Sequence, residues 1–210
     1  MNVVTNVYFY PDNHSDKVDL FKVIGEPKYR YYVKVESIEK FLIEYLCRIN
    51  KYPIYFTITT YDDYDGITAL LTKLKQEYHL KRLGGDITYT STADGGWVAC
   101  HMLIIKAKIT NTEALQSIIS STLWLAATNC FCTYILSFSD NISFTIEKAV
   151  DWNGEDIEHS TILIDMNEKT TTIGISYDAH GFYLFSNLDE YGSIDNISKQ
   201  LQNYKVVVKE

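Results

Sequence analysis

Apolar residues recur along the chain with two different periods. Val3 to Tyr10 alternates apolar and polar positions, the two-residue period of a strand with one face buried, and Pro11-Asp12-Asn13 ends it with turn chemistry. Tyr29 to Val35 reads as a second strand. After Ser37 the spacing lengthens. Ile38, Phe41, Leu42, Tyr45, Leu46 and Ile49 recur every three or four residues, which predicts a helix with all six on one face. Ser37 can accept a backbone N–H of the first turn, and Asn50-Lys51-Tyr52-Pro53 ends the helix. Ile54 to Thr60 returns to the strand period with β-branched side chains. The loop Tyr61-Asp62-Asp63-Tyr64-Asp65-Gly66 follows. Asp65 is the expected cap of a second helix, with Ile67, Leu70, Leu71, Leu74 and Tyr78 inward and Gly84-Gly85 as its close.

The second half reads mostly as strands. Asp86–Thr92 and Trp97–Ile109 flank Ala93-Asp94-Gly95-Gly96, a hairpin signal. Thr110-Asn111-Thr112-Glu113 has the spacing of a capping box, with Thr110 and Glu113 satisfying orphan backbone donors. The helix it opens carries Leu115, Ile118, Ile119, Thr122, Leu123 and Ala126 on one stripe, which Trp124, Leu125 and Ala127 widen toward burial on most sides. Cys130–Ser137 and Ile142–Val150 flank a hairpin signal at Phe138-Ser139-Asp140-Asn141. Thr161–Met166 and Thr170–Tyr177 flank another at Asn167-Glu168-Lys169. Asp178-Ala179-His180-Gly181 leads into Phe182–Ser186 as a third. Ser193 starts a short helix with Ile194, Ile197 and Leu201, and Tyr204–Val208 is a closing strand. Hairpins in series without regular βαβα alternation predict an α+β fold, mainly antiparallel sheet packed against about four helices. One domain over residues 1–210 is expected, with residues 84–96 the place where it could be subdivided.

Composition narrows the functional classes. The formal charge is −8, and the longest basic grouping is Lys81-Arg82. A phosphate-binding face needs clustered Lys and Arg, so nucleic acid is not an expected partner. The same balance disfavours an anionic membrane surface, and no window approaches a membrane span. Met1 to Val7 lacks a basic stretch followed by an apolar core, so no signal peptide is expected and the chain reads as cytoplasmic. Cys47, Cys100, Cys130 and Cys132 then read as reduced thiols serving as small hydrophobes, although Cys130 and Cys132 would share a strand face. Abundant Ile, Tyr, Asn and Lys fit an AT-rich coding sequence of the kind found in low-GC bacteria and their phages.

Chemistry-bearing candidates are few. The loop Tyr61 to Gly66 fails as a calcium loop, because counting Gly66 as sixth puts Tyr61 first and Thr72 twelfth, where Asp and Glu belong. Its three Asp interleaved with two Tyr suit a partner surface instead. Asp151-Trp152-Asn153-Gly154-Glu155-Asp156-Ile157-Glu158-His159 is a second acidic segment, with Trp152 as a candidate anchor. Asp178 and His180 are the best catalytic candidates, at a turn, yet no nucleophile elbow or P-loop accompanies them. The glycine pair at Gly95-Gly96 precedes a strand, where a phosphate cradle precedes a helix. The Tyr8–Tyr10, Tyr29–Tyr32 and Tyr52–Phe56 clusters suit half-buried strand positions.

These observations favour an acidic, non-enzymatic interaction protein of the inhibitor or immunity type, binding a basic toxin or effector. Tyr61, Asp62, Asp63, Tyr64, Asp65, Trp152, Glu155 and Asp156 would make the contact, with no metal and no cofactor. The alternatives are a small hydrolase using His180 with Asp178, and a structural subunit of a homo-oligomer paired through Tyr-rich strand edges.

Overall fold

A computed structural model describes residues 5–11, 17–18, 20–61, 64–91, 94–128, 132–150, 154, 156–201 and 203–209. In chain order the elements are β1 (Thr5–Pro11), β2 (Lys17–Val18), β3 (Phe21–Ile24), β4 (Tyr29–Val35), α1 (Ile38–Ile49), β5 (Ile54–Thr60), α2 (Tyr64–Lys73), β6 (Glu77–Ser91) and β7 (Trp97–Ile109). They continue as α3 (Thr112–Thr128), β8 (Tyr134–Ser137), β9 (Ile142–Val150), β10 (Asp156–Asp165), β11 (Thr171–Ile175), β12 (Phe182–Ser186), α4 (Asp189–Gly192), α5 (Ile194–Gln200) and β13 (Tyr204–Val208). The fold is α+β with mostly antiparallel sheets, as expected. A nine-stranded sheet has the order β13-β1-β4-β12-β11-β8-β5-β7-β6, and a four-stranded sheet the order β2-β3-β10-β9. Only the β1–β13 and β3–β10 neighbours run parallel among the described strands.

Strand alternation gives the large sheet two inner faces. Phe56, Ile58, Tyr134, Leu136, Ile173, Ile175, Phe182 and Leu184 point to one face, where they pack with Phe41, Leu42 and Leu46 of α1, Ile67 and Leu71 of α2, and Leu115, Ile118 and Ile119 of α3. Their neighbours Ile104, Ile135 and Phe185 point the other way, onto Phe21 and Val23 of β3, Ile142 of β9, and Ile162 and Ile164 of β10. The result is helices, large sheet, small sheet. Gly174 allows the closest part of this approach, because a Cβ there would stand 2.6 Å from the Phe21 ring.

α1 follows its expected boundaries. Ser37 accepts the Lys40 N–H, and Asn50 in the left-handed region (φ +49°) donates its N–H to the Leu46 carbonyl. α2 begins at Tyr64, so Asp65 lies inside its first turn and does not cap it. It also stops at Lys73. Lys75 takes φ +55°, and the Gln76 side-chain oxygen Oε1 accepts the Thr110 N–H and hydroxyl at 2.8 and 3.0 Å. Residues 77–83, read from their spacing as the end of a helix and its close, are thereby drawn into pairing with β7, and Gly84-Gly85 falls inside β6 where its register slips between Arg82 and Ile87. Asn111, not Thr110, caps α3, accepting the Ala114 N–H at 2.9 Å. On α3 the stripe is narrower than expected, since Trp124 is 50% exposed and Ala127 is exposed.

Two of the expected hairpins are crossovers between sheets. β8 belongs to the large sheet and β9 to the small one, and the same holds in reverse for β10 and β11. Asn141 ties both crossings together. Its side chain accepts from Ser137 Oγ at 2.7 Å and donates to the Asp165 carbonyl at 2.8 Å and to Thr172 Oγ1 at 3.1 Å, while its main-chain carbonyl accepts the Asp165 N–H. A turn read from local composition thus acts through buried, long-range hydrogen bonds.

Candidate functional site

The described members of the acidic–aromatic set lie on two separate layers. Tyr61 follows β5 directly and is half-buried, its ring packed against the core between the two sheets. Tyr64, the first residue of α2, is 37% exposed. Asp65 is exposed in the first turn, where a carboxylate complements the partial positive charge of the free N–H groups. Thr68 Oγ1 donates back to the Tyr64 carbonyl at 2.9 Å and steadies that turn. Asp62 and Asp63 lie outside the described residues, as do Trp152 and Glu155. Asp156 is exposed and opens β10 opposite Val150 of β9. Glu158, exposed beside it, pairs across to Lys148.

α2 packs on the helix-covered face and β10 on the small-sheet face, so the two acidic segments flank the large sheet from opposite sides. They share one end of it. Thr60, the last residue of β5, sits opposite Leu103, which sits opposite Arg82. β10 meets β6 two residues further on, where Ser160 Oγ donates to the Gly84 carbonyl at 2.6 Å.

The catalytic candidates sit on a tight turn between β11 and β12. Tyr177–Ala179 forms a single 3-10 turn, with Ala179 in the left-handed region at φ +48°. Ser176 holds the turn closed, its hydroxyl donating to the Gly181 carbonyl at 2.8 Å and accepting the Gly181 N–H at 2.9 Å. Gly181 is required there, since a Cβ would stand 2.6 Å from the Val33 carbonyl oxygen. His180 is exposed at the end of this turn. The side chain of Asp178 lies outside the described residues.

Thiol chemistry is muted. Cys132 is buried, and burial pushes its thiol up to about 12. Burial also raises the Cys47 thiol, against a smaller opposing hydrogen bond from Gln116. A thiolate is the reactive species, so both are poor nucleophiles. Cys130 lies outside the described residues. Among the described residues no group of three or more His, Cys, Asp and Glu side chains could hold a metal ion. Among them, too, no helix is long and apolar enough to cross a membrane.

Two adjoining clefts open where the chain leaves the large sheet after β8 and enters β9. One, of about 260 Å³, is lined by Tyr55, Glu77, His79, Lys106, Lys108 and Asp140, with Phe56 and Ala107 behind. The other, of about 440 Å³, is lined by His79, Lys81, Ile104, Lys106, Ile142, Ser143 and Phe144. His180 lines neither. The basic side chains of these clefts escape a reading by sequence because residues 77–81 look helical. As a strand, the alternation of Glu77, His79 and Lys81 puts all three on one face, level with Lys106 and Lys108.

No protein-family model, no curated protein and no solved structure matches this chain.

Proposed function

We propose that this chain is a non-enzymatic, cytoplasmic binding protein that captures a basic protein partner, in the manner of an inhibitor or immunity-type protein. The observation that carries this reading is exposed carboxylate at one end of the large sheet in a chain of charge −8: Asp65 beside the exposed Tyr64 on one side, Asp156 and Glu158 on the other. A partner engaging both segments would straddle that end. Complementary charge would speed the encounter, and the aromatic rings would slow dissociation. The hydrolase alternative needs His180 in a concave pocket, and the exposed 3-10 turn gives it little support.

The test is capture of a basic protein by the tagged chain, followed by binding kinetics with the captured partner. Neutralising Asp62, Asp63 and Asp65 to Asn, together with Asp156→Asn and Glu158→Gln, is expected to slow association about tenfold or more at low salt. The reading is overturned if the captured proteins are not basic, or if the neutralised chain binds its partner at the parental rate.

A further inference from the structure

We propose that the larger of the two clefts, between the β6–β7 pair and the start of β9, is a binding site for a small anionic ligand with an apolar body, such as an aryl or short alkyl carboxylate, sulfonate or phosphate. This goes beyond the partner-binding reading and does not rest on it. The cleft reverses the charge of the molecule. Three basic side chains, His79, Lys81 and Lys106, line it, and no carboxylate does, in a chain whose net charge is −8. Its remaining lining is Ile104, Ile142, Phe144 and the Ser143 hydroxyl. At about 440 Å³ it lies within the range of small-molecule sites, roughly 300–1,000 Å³.

Strand register builds the arrangement. His79 sits directly opposite Lys106 and Lys81 directly opposite Ile104, two rungs apart on the same face, so two lysines, an imidazole and an apolar residue line the cleft together. Lys106 is held in place. Its ammonium donates to Asp140 and to the Ile142 carbonyl, and that pairing with Asp140 belongs to the smaller cleft next door. Lys81 stands with its ammonium 4.6 Å from the centre of the Phe144 ring. A cation beside a ring, over a floor of Ile104 and Ile142 that is almost fully buried, is laid out for a molecule with one charged end and one apolar end. Two lysines and a histidine are too few for a nucleic-acid track, which needs a basic stripe along a backbone. A cationic ligand would meet the ammonium of Lys81 and find no carboxylate in the lining.

The probe for the test is 8-anilinonaphthalene-1-sulfonate, with N-phenyl-1-naphthylamine as the same ring system without the charge. Both are titrated by fluorescence into the full chain. The sulfonate is expected to bind one saturable site that weakens with added salt, and to shift the amide NMR signals of Ile104, Ser143 and Phe144. Lys81→Glu, on an exposed side chain, is expected to weaken the sulfonate about tenfold while leaving the naphthylamine within about twofold. His79→Gln serves as a second, gentler variant and is expected to weaken the sulfonate by about twofold, with the naphthylamine again unmoved. The proposal is overturned by the absence of saturable sulfonate binding, by shifts confined to other residues, or by variants that move both probes equally or neither.

Discussion

The two faces of the nine-stranded sheet are cut from the same strands yet are held by different forces. On the helix side Phe56, Ile58, Tyr134, Leu136, Ile173, Ile175 and Leu184 are buried and mostly apolar, and the few polar atoms make isolated links, such as the Tyr45 hydroxyl donating to the Tyr191 carbonyl and the Tyr134 hydroxyl paired with Thr122 Oγ1 at 3.1 Å. On the small-sheet side the intervening positions include Thr57, Thr59, Ser137 and Thr172, buried just as deeply. Helices joined by short loops can settle wherever apolar shapes interlock. A second sheet whose chain crosses back and forth must also have its crossings fixed, and directional hydrogen bonds around Asn141 do this. The helix side therefore derives most of its stability from burial. The sheet side trades some of that for position, and the clefts open where its cover runs out.

The most damaging way to test this division is on the helix side. Phe41 of α1 is 1% exposed and touches three aromatic rings, Tyr45, Phe182 and Tyr204, at 5.3–5.7 Å between centroids. Phe41→Ala is expected to cost about 3–5 kcal/mol in urea unfolding. A cost under about 1 kcal/mol would mean that this face is not where burial is concentrated.

A smaller loss is expected at the crossings. Asn141→Ala removes a buried amide, takes the side-chain donor from the Asp165 carbonyl and one partner each from the Ser137 and Thr172 hydroxyls, at an expected cost of about 2–3 kcal/mol. A double-mutant cycle with Ser137→Ala sharpens the point. The two changes should be clearly less than additive, because either one breaks the 2.7 Å bond between them. Strict additivity would show that Asn141 acts alone and not through the network.

The same contrast explains what could be read in the chain beforehand. Elements set by local period and local caps were legible: β4, α1, β5 and β7 fall where alternation and Ser37 place them. Partner choice was not, because a strand pattern does not name its neighbour. Phe138–Asn141 has turn composition, but whether β8 meets β9 or β11 is decided by Thr172 and Asp165, more than twenty residues away. Residues 77–83 were lost to a helix for a related reason. Tyr78 continues the apolar spacing of Leu71 and Leu74, and only the distant contact of Gln76 with Thr110 shows that the helix has already ended. With that strand went the basic cleft, whose residues share a face only once β6 is paired. The acidic segments were visible as composition, yet their placement on opposite sides of the sheet depends on packing that no local signal carries.

The finest division lies within the small-sheet face itself, between two threonines that receive the same substitution. Thr172 and Thr57 are both fully buried. The Thr172 hydroxyl bonds Ser137 Oγ at 2.8 Å and Asn141 Nδ2 at 3.1 Å. The Thr57 hydroxyl, between Lys106 and Ile135 on neighbouring strands, has no hydrogen-bond partner among the described residues. Replacing a hydroxyl by a methyl removes a network member in one case and a buried, unsatisfied oxygen in the other. Thr172→Val should therefore destabilise by about 1–2 kcal/mol, and Thr57→Val should leave stability unchanged or raise it by up to about 1 kcal/mol. The urea midpoints of the two variants read this directly, since neither changes the surface exposed on unfolding enough to alter the slope. Opposite signs would show that the hydroxyls on this face are retained for their bonds. Equal losses would mean instead that the face is set by threonine's shape, and that the Asn141 network only decorates a packing which would stand without it.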